Sequence, residues 1–203
     1  ASGGLNLKAG SDTISTPPLS LYGHHQAQNA ALALMALKGS GLATDLAAAA
    51  EGAGQADWPA RVQKLKDGHL TELAGRTVWL DGAHNVHGAR ALVASLSSLY
   101  PRKWIIVFGA LDTRPADEFL SVIKPIADRI YCLTIPNQPA ALEASMLASR
   151  AQTLGLKADT ANDISSACRA IGILGVTDDQ PVIICGSLYL AGAVLQANGT
   201  LPN

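Results

Sequence analysis

One short segment of the sequence, Asp81-Gly82-Ala83-His84-Asn85, concentrates side chains that can bind a ligand. It lies between an apolar run that predicts a β-strand and a helix that is predicted to begin near His87. In an open parallel sheet, ligands bind at the carboxyl ends of strands, over helix N-termini. There, Asp81 can accept two hydrogen bonds from a vicinal diol such as a ribose, His84 offers a flat polar ring, and Asn85 can cap the helix.

Two other interpretations of this segment follow from the residue types. Asp81 and Asn85 can simply organise the turn between strand and helix, and the spacing leaves that alternative open. Asp81, His84 and His87 can also be imagined as metal ligands, because two histidines three residues apart share a helix face. The sequence suggests no fourth ligand, so we predict no metal site, and we assign no catalytic residue to this chain.

The elements that would position this segment alternate between apolar strands and helices of roughly 10–15 residues. Strands are predicted in five runs, each followed by a helix: TVWLDG, KWIIVFGAL, RIYCLTI, LKADT and PVIICGS. This alternation predicts an α/β fold with a doubly wound, mostly parallel, Rossmann-like sheet and helices on both of its faces. Just before this series, RVQKL and HLTEL flank Asp67-Gly68 and predict a β-hairpin.

The pattern of the sequence changes at Trp58-Pro59, which we take as a domain boundary. We assign residues 1–57 to the tail of an upstream domain and residues 58–203 to one complete domain. The first piece contains a predicted helix that is apolar on every face from Ala30 to Leu37, which indicates burial. It has too few elements to cover that helix, so we expect the chain to be a fragment of a longer protein.

The composition argues against several classes of partner. A formal net charge of -1 gives no electrostatic reason to expect nucleic acid or an anionic membrane. No apolar run reaches the roughly 18–20 residues that span a bilayer, and the N-terminus does not resemble a signal peptide. The three cysteines are far apart and form no CxxC pair. We therefore predict a cytoplasmic protein whose cysteines are small buried residues in a reducing compartment.

Four segments of the sequence resemble one enzyme family. DGAHNVHGARAL is similar to the segment that opens the C-terminal domain of folylpolyglutamate and dihydrofolate synthases, which are relatives of the Mur ligases. GHHQAQNAALAL, WPAR and VIICGSLYLAGAVL resemble three further motifs of the family in the same order, and together they extend from about Tyr22 to Leu195. Ala60 replaces a glycine of the family, which makes a positive φ less comfortable there, and Val86 replaces a proline at the helix start.

The resemblance implies an ATP-dependent ligase that joins L-glutamate to the carboxylate of a folate or dihydropteroate through an acyl phosphate. It implies that residues 1–57 are the C-terminal part of a central ATP-binding domain and that residues 58–203 are the C-terminal Rossmann-like ligase domain. The family's GTNGKGS-type phosphate loop does not occur in this sequence, and its Mg²⁺ ligands are expected upstream. We therefore expect this chain alone to be inactive, and the parent enzyme to be a monomer.

The resemblance also implies contacts with the nucleotide, carried over motif by motif. Asn29 would contact the adenine, Arg61 the phosphates and Asp81 the ribose. His84 would line the adenine or phosphate region. Asn29 and Arg61 also have structural alternatives: Asn29 can tie its helix to the sheet, and Arg61 can stabilise the domain boundary.

Two residues follow the last predicted strand, Ser187 and Tyr189, and would face the substrate cleft. Helix capping and core packing are their structural alternative. Two rival functions also stay open: another Mur-type amino-acid ligase, and a non-catalytic nucleotide-binding or interaction module. The GSLYLAG ending favours the folate branch, whereas the uncovered apolar helix argues against an independent module.

Overall fold

The computed structural model describes residues 3–9, 12–42, 45–174 and 180–201. The chain divides into two compact units, Ala1–Arg61 and Val62–Asn203. Within the described residues, none of the helices combines the length and the apolar character that crossing a bilayer requires.

The first unit contains an antiparallel hairpin and two helices. Its elements are β1 (Asn6–Ala9), β2 (Asp12–Ser15), α1 (His24–Ser40) and α2 (Leu46–Gly54). Ile14, Leu34 and Ala50 form a small apolar cluster between them. α2 begins after Asp45, whose side chain accepts hydrogen bonds from the backbone N–H groups of the helix's first turn. The sequence predicted both helices but gave no indication of the hairpin.

Helix α1 buries only part of its apolar surface. Leu34 is 1% exposed, whereas Leu32 is 69% and Met35 40% exposed. Burial of the whole helix was predicted because residues 30–37 are apolar on every face. The described residues of this chain cover one side of the helix and leave the other in solvent.

The second unit is built on a six-stranded sheet in the order β3-β4-β8-β5-β6-β7. Only β3 runs antiparallel to its neighbour, and the other pairs are parallel. Every residue of β4, β5 and β8 is buried, so these strands are continuous apolar runs rather than alternating ones. The strands are β3 (Gln63–Lys64), β4 (Val78–Leu80), β5 (Trp104–Phe108), β6 (Ala127–Cys132), β7 (Ala158–Thr160) and β8 (Val182–Cys185).

Among the described residues, six α-helices cover this sheet: α3 (His69–Ala74), α4 (Val86–Leu99), α5 (Ala116–Ile123), α6 (Ala144–Thr153), α7 (Ile164–Ile173) and α8 (Leu188–Asn198). α5 packs between α4 and α6, whereas α3, α7 and α8 pack with one another, so each group covers one face. The predicted doubly wound α/β fold is confirmed. Cys132, Cys168 and Cys185 are buried and form no disulfide, so their predicted burial is confirmed, and burial raises the pKa of the Cys132 and Cys168 thiols to about 12.

The predicted hairpin around Asp67-Gly68 is wrong, because HLTEL forms helix α3. The Thr71 hydroxyl accepts a hydrogen bond from Gly68 N (2.9 Å) and so caps the first turn. From the far end of the chain, Asn198 Oδ1 accepts hydrogen bonds from Leu70 N (3.0 Å) and Thr71 N (3.4 Å). The backbone N–H groups at the start of this helix are therefore bound by a partner 128 residues away. The local alternation of polar and apolar residues gives no indication of that partner.

Candidate functional site

The topology of the sheet places a crevice at the carboxyl ends of β4, β8 and β5. β8 lies between β4 and β5, although it follows both in sequence. The helices that follow β4 and β5 cover one face of the sheet, whereas α8, which follows β8, covers the other. Neighbouring loops therefore diverge here, and this is the point at which open α/β sheets bind ligands.

The Asp81 side chain organises the end of β4. It is 5% exposed, and its Oδ2 accepts a hydrogen bond from Val62 N at 2.8 Å. Its Oδ1 accepts another from Ala83 N at 2.7 Å. Asp81 thus fixes both the turn after β4 and Val62, the residue with which the second unit begins. Val62 has a φ of 46°, which is unusual for a β-branched residue.

The two polar residues that end the same segment have separate roles. His84 is exposed, and its Nδ1 lies 2.9 Å from the Gly82 carbonyl oxygen. Because a carbonyl only accepts, Nδ1 carries the proton in this contact, and Nε2 of the neutral ring is an acceptor. Asn85 Oδ1 accepts a hydrogen bond from Gly88 N at 2.8 Å, so its predicted capping of α4 is confirmed. Val86 starts the helix without the proline of the family motif.

A pocket of about 130 Å³ opens over this crevice. That is far more than the roughly 15 Å³ that one water molecule needs. Its apolar wall includes the rings of Phe108 and Phe119, which stack with centroids 5.2 Å apart. The lining side chains that can form hydrogen bonds are those of His84, Thr113, Arg114, Ser187 and Tyr189. Three of the residues identified from the sequence, His84, Ser187 and Tyr189, are therefore brought to one pocket.

Ser187 and Tyr189 meet the pocket at the start of α8. Ser187 is 3% exposed and caps the helix, because its Oγ accepts a hydrogen bond from Tyr189 N at 3.1 Å. Tyr189 is 57% exposed and stands at the mouth. Gly186, before them, has a φ of 115°, and a Cβ there would lie 2.7 Å from the Phe108 ring and against the Gly109 carbonyl. Only glycine therefore fits the turn that delivers Ser187 to the pocket.

Arg114 was missed by sequence reasoning, although it lines this pocket. Its loop connects β5 to α5 and is anchored by hydrogen bonds from Asp112 N to the Ala140 carbonyl (2.8 Å) and from Leu142 N to the Ala110 carbonyl (2.9 Å). An arginine in a polar loop has the sequence signature of any surface arginine. Its position in the loop that follows a fully buried strand was the available signal, because loops of this kind border the crevice.

Asn29 and Arg61 lie in the first unit and do not line the pocket. Asn29 Nδ2 donates to Gln26 Oε1 at 3.1 Å, and the buried Gln26 amide lies 3.0 Å from His25 Nε2. Burial, followed by the positive charge of Arg61, lowers the pKa of His25, which suits a neutral ring that accepts from Gln26. Ala60 adopts a φ of 57°, so this chain keeps the positive φ without the glycine of the family motif.

The described residues contain no group of three or more His, Cys, Asp or Glu side chains that could hold a metal ion. Neither Asp81 with His84 nor His84 with His87 forms part of such a group within that part of the chain. Asp81 instead directs its carboxylate oxygens at backbone amides.

The fold and the position of the pocket define a class of doubly wound α/β domain that binds its ligands at the topological switch point. Within that class, residues 61–188 match the family described as Mur ligase, glutamate ligase domain. The chain therefore belongs to the Mur ligase family through its glutamate ligase domain.

Several relatives of this chain are folate ligases. The folylpolyglutamate synthase of Lacticaseibacillus casei is 28% identical over 187 residues, which make up 90% of this chain and 40% of that protein. The structure of Mycobacterium tuberculosis folylpolyglutamate synthase complexed with ADP covers 100% of this chain and 46% of its own length, with 27% identity and a TM-score of 0.84. A bifunctional folylpolyglutamate synthase/dihydrofolate synthase with Mn, AMPPNP and L-glutamate bound covers 97% of this chain and 45% of its own, with 27% identity and a TM-score of 0.78.

The family resemblance predicted from the four motifs is thus confirmed. The chain spans less than half the length of these relatives.

Proposed function

We propose that this chain is part of an ATP-dependent ligase that adds L-glutamate to the carboxylate of a folate or dihydropteroate through an acyl phosphate. The observation that carries the proposal is the pocket over β4, β8 and β5, lined by His84 and Ser187 in a domain of the glutamate ligase family. In this proposal the pocket receives the amino acid. The parent enzyme works as a cytoplasmic monomer, and nucleic acid and membrane are not among its partners.

The pocket offers the groups that an incoming amino acid needs. The Ser187 hydroxyl can donate to a carboxylate, and the N-terminus of α8 adds a favourable dipole. His84 Nε2 can accept a proton of the substrate's ammonium group when Nδ1 donates to Gly82. Tyr189 closes part of the mouth. Once its proton has moved to His84 Nε2, the free amine is oriented for attack on the carbonyl carbon of the acyl phosphate, which forms the amide bond and releases inorganic phosphate. Orientation of this kind is a large part of the catalysis of bimolecular reactions.

Nucleotide binding is supported by the relatives, one of which is complexed with ADP and another with AMPPNP and Mn. We propose that Asn29, Arg61 and Asp81 contact ATP, and that His84 lines the phosphate region, where its Nε2 faces the amine that attacks the acyl phosphate. Arg61 suits phosphate, because its planar fork is permanently charged. Asp81 is proposed at the ribose, where it would act in addition to holding Val62 and Ala83.

Divalent metal chemistry does not fit the residues described in this chain, since they contain no cluster of potential metal ligands. We propose that the parent enzyme uses Mg²⁺ held by residues outside this sequence. The metal would neutralise charge on the transferred phosphoryl group, together with a phosphate loop that this sequence lacks. The 203-residue chain alone is therefore proposed to be inactive.

The test is an assay of the protein encoded by the whole gene that contains this sequence. We expect ADP release to require ATP, L-glutamate and a reduced folate or dihydropteroate together, with a product heavier by one glutamyl unit in mass spectrometry. The 203-residue chain serves as the control and should release no ADP. ADP release by the whole protein with neither acceptor would overturn the folate assignment, and glutamate-dependent ATP hydrolysis by the short chain would overturn its inactivity.

A second candidate is a Mur-type ligase that joins an amino acid to a different carboxylate. It is favoured by the family match, because the description of the glutamate ligase domain does not specify which carboxylate accepts the amino acid. The same assay distinguishes this candidate from the folate ligase. When another carboxylate replaces the folate, ADP release should continue only if that carboxylate is the acceptor.

A further inference from the structure

Three polar side chains near the start of α1 form a chain of hydrogen bonds. Gln26 and Asn29 are three residues apart, so their side chains lie on the same side of the helix. Asn29 Nδ2 donates to Gln26 Oε1 at 3.1 Å, and Gln26 Nε2 lies 3.0 Å from His25 Nε2. Gln26 is 6% exposed, whereas Asn29 is exposed. A buried amide therefore lies between a histidine ring and a second amide that a ligand can reach.

The histidine fixes which way the Gln26 amide is turned. Gln26 Nε2 can only donate, so His25 Nε2 is the acceptor and the ring proton lies on Nδ1. An imidazolium ring would offer no acceptor to Gln26. Burial, followed by the positive charge of Arg61, lowers the pKa of His25 and so favours the neutral ring that this contact requires. The amide oxygen of Gln26 is thereby directed at Asn29.

Asn29 takes its own orientation from Gln26. An asparagine amide has a donor end and an acceptor end of nearly the same shape, so an exposed asparagine without a fixed partner can present either end to a ligand. Because Asn29 Nδ2 donates to Gln26, the other end of the planar group, Oδ1, is turned away from Gln26 and can accept from a ligand. The polarity of the exposed amide is therefore set by a buried neighbour.

Adenine and guanine differ in the group that such an oxygen would meet. Adenine carries an exocyclic amino group that donates, whereas guanine carries a carbonyl oxygen that accepts. We infer that Gln26 is a positioning residue that holds the amide oxygen of Asn29 towards the nucleotide base and so makes the site prefer adenine to guanine. This inference rests on the proposed function, because it requires that Asn29 contacts the base of ATP.

The test measures nucleotide binding by the protein encoded by the whole gene that contains this sequence. Isothermal titration calorimetry with AMPPNP and, separately, with GMPPNP, both in the presence of Mg²⁺, gives the ratio of the two affinities. Gln26→Met keeps the length of the side chain and removes both of its polar atoms. We expect it to lower the preference for AMPPNP by about threefold to tenfold, which is the net effect of one hydrogen bond.

The ratio separates this role from a purely structural one, because a loss of packing around Gln26 would weaken both nucleotides equally. Asn29→Ala should lower the preference for AMPPNP at least as much as Gln26→Met does. In the Asn29→Ala background, Gln26→Met should not change the ratio further, because no amide remains to be oriented. The matched control is Gln152→Met on α6, which removes a glutamine whose Nε2 donates to the Ala158 carbonyl at 2.8 Å and should leave the ratio unchanged.

The outcomes distinguish the inference from the proposed function. An unchanged ratio in Gln26→Met, or an equal change in the Asn29→Ala background, would overturn the inference and leave the ligase proposal standing. A preference for AMPPNP that rises in Gln26→Met would mean that Asn29 presents its donor end to the base, which also overturns the inference. A whole protein that binds neither analogue would overturn the inference together with the proposed nucleotide contacts. The ADP-release assay then decides separately whether the ligase assignment stands.

Discussion

Asp81 and His84 are three residues apart in sequence, yet their side chains lie in opposite environments. Asp81 is buried, and each of its carboxylate oxygens accepts a hydrogen bond from a backbone amide. His84 is exposed at the pocket, with one ring nitrogen occupied by the Gly82 carbonyl. The hydrogen bonds therefore show that Asp81 organises the turn after β4, as one of the two interpretations of this residue predicted. The side chain that faces the pocket from this segment is His84.

Replacing Asp81 with alanine should destabilise the second unit by about 2–4 kcal/mol, because the buried amides of Val62 and Ala83 lose charged acceptors. Asp81→Asn keeps one acceptor oxygen and should cost less. Urea unfolding followed by tryptophan fluorescence measures both, since Trp79 and Trp104 lie in the same sheet. Asp112→Ala removes an exposed carboxylate and should change the free energy of unfolding by less than about 0.5 kcal/mol. An Asp81→Ala variant as stable as this control would contradict the structural role.

At the scale of elements, strands and helices that pack by their own apolar pattern were predictable. β5 is an unbroken apolar run, and α4 follows a recognisable cap at Asn85. Two of the failures have a common cause, because each depends on a partner that is remote in sequence. Helix α3 is capped by Asn198, and Arg114 lines the pocket only because the sheet order brings β5 beside β8.

The dependence of α3 on a remote partner can be measured through Asn198. This residue is 3% exposed, accepts from Leu70 N and donates to the Lys66 carbonyl at 3.0 Å. Asn198→Ala should cost about 2–3 kcal/mol, since it leaves buried backbone groups unpaired. Hydrogen exchange should show the amide protons of residues 69–74 losing protection more than those of α4.

The matched control is Asn162→Ala, which removes an exposed asparagine side chain. It should leave both the free energy of unfolding and the exchange of α3 unchanged. If Asn198→Ala instead lowered protection evenly over the whole second unit, α3 would not depend specifically on this contact.

For the whole molecule, the two units differ in how completely they bury their apolar residues. The second unit surrounds its sheet with helices on both faces, and β4, β5 and β8 are buried throughout. The first unit has a small cluster around Ile14, Leu34 and Ala50, and much of α1 stays in solvent. The sequence indicated this imbalance, since a helix that is apolar on every face needs neighbours on every face.

The exposed side of α1 should make the 203-residue chain self-associate. Leu32 is 69% and Met35 40% exposed, and they lie on the same side of the helix because they are three residues apart. Sedimentation velocity should show a weight-average mass that rises with concentration, and Leu32→Gln with Met35→Gln should reduce that rise. Exchanging Met146, 45% exposed on α6, for glutamine is the control and should have little effect. A chain that stays monomeric at all concentrations would show that the exposed side of α1 is too small or too mobile to drive association.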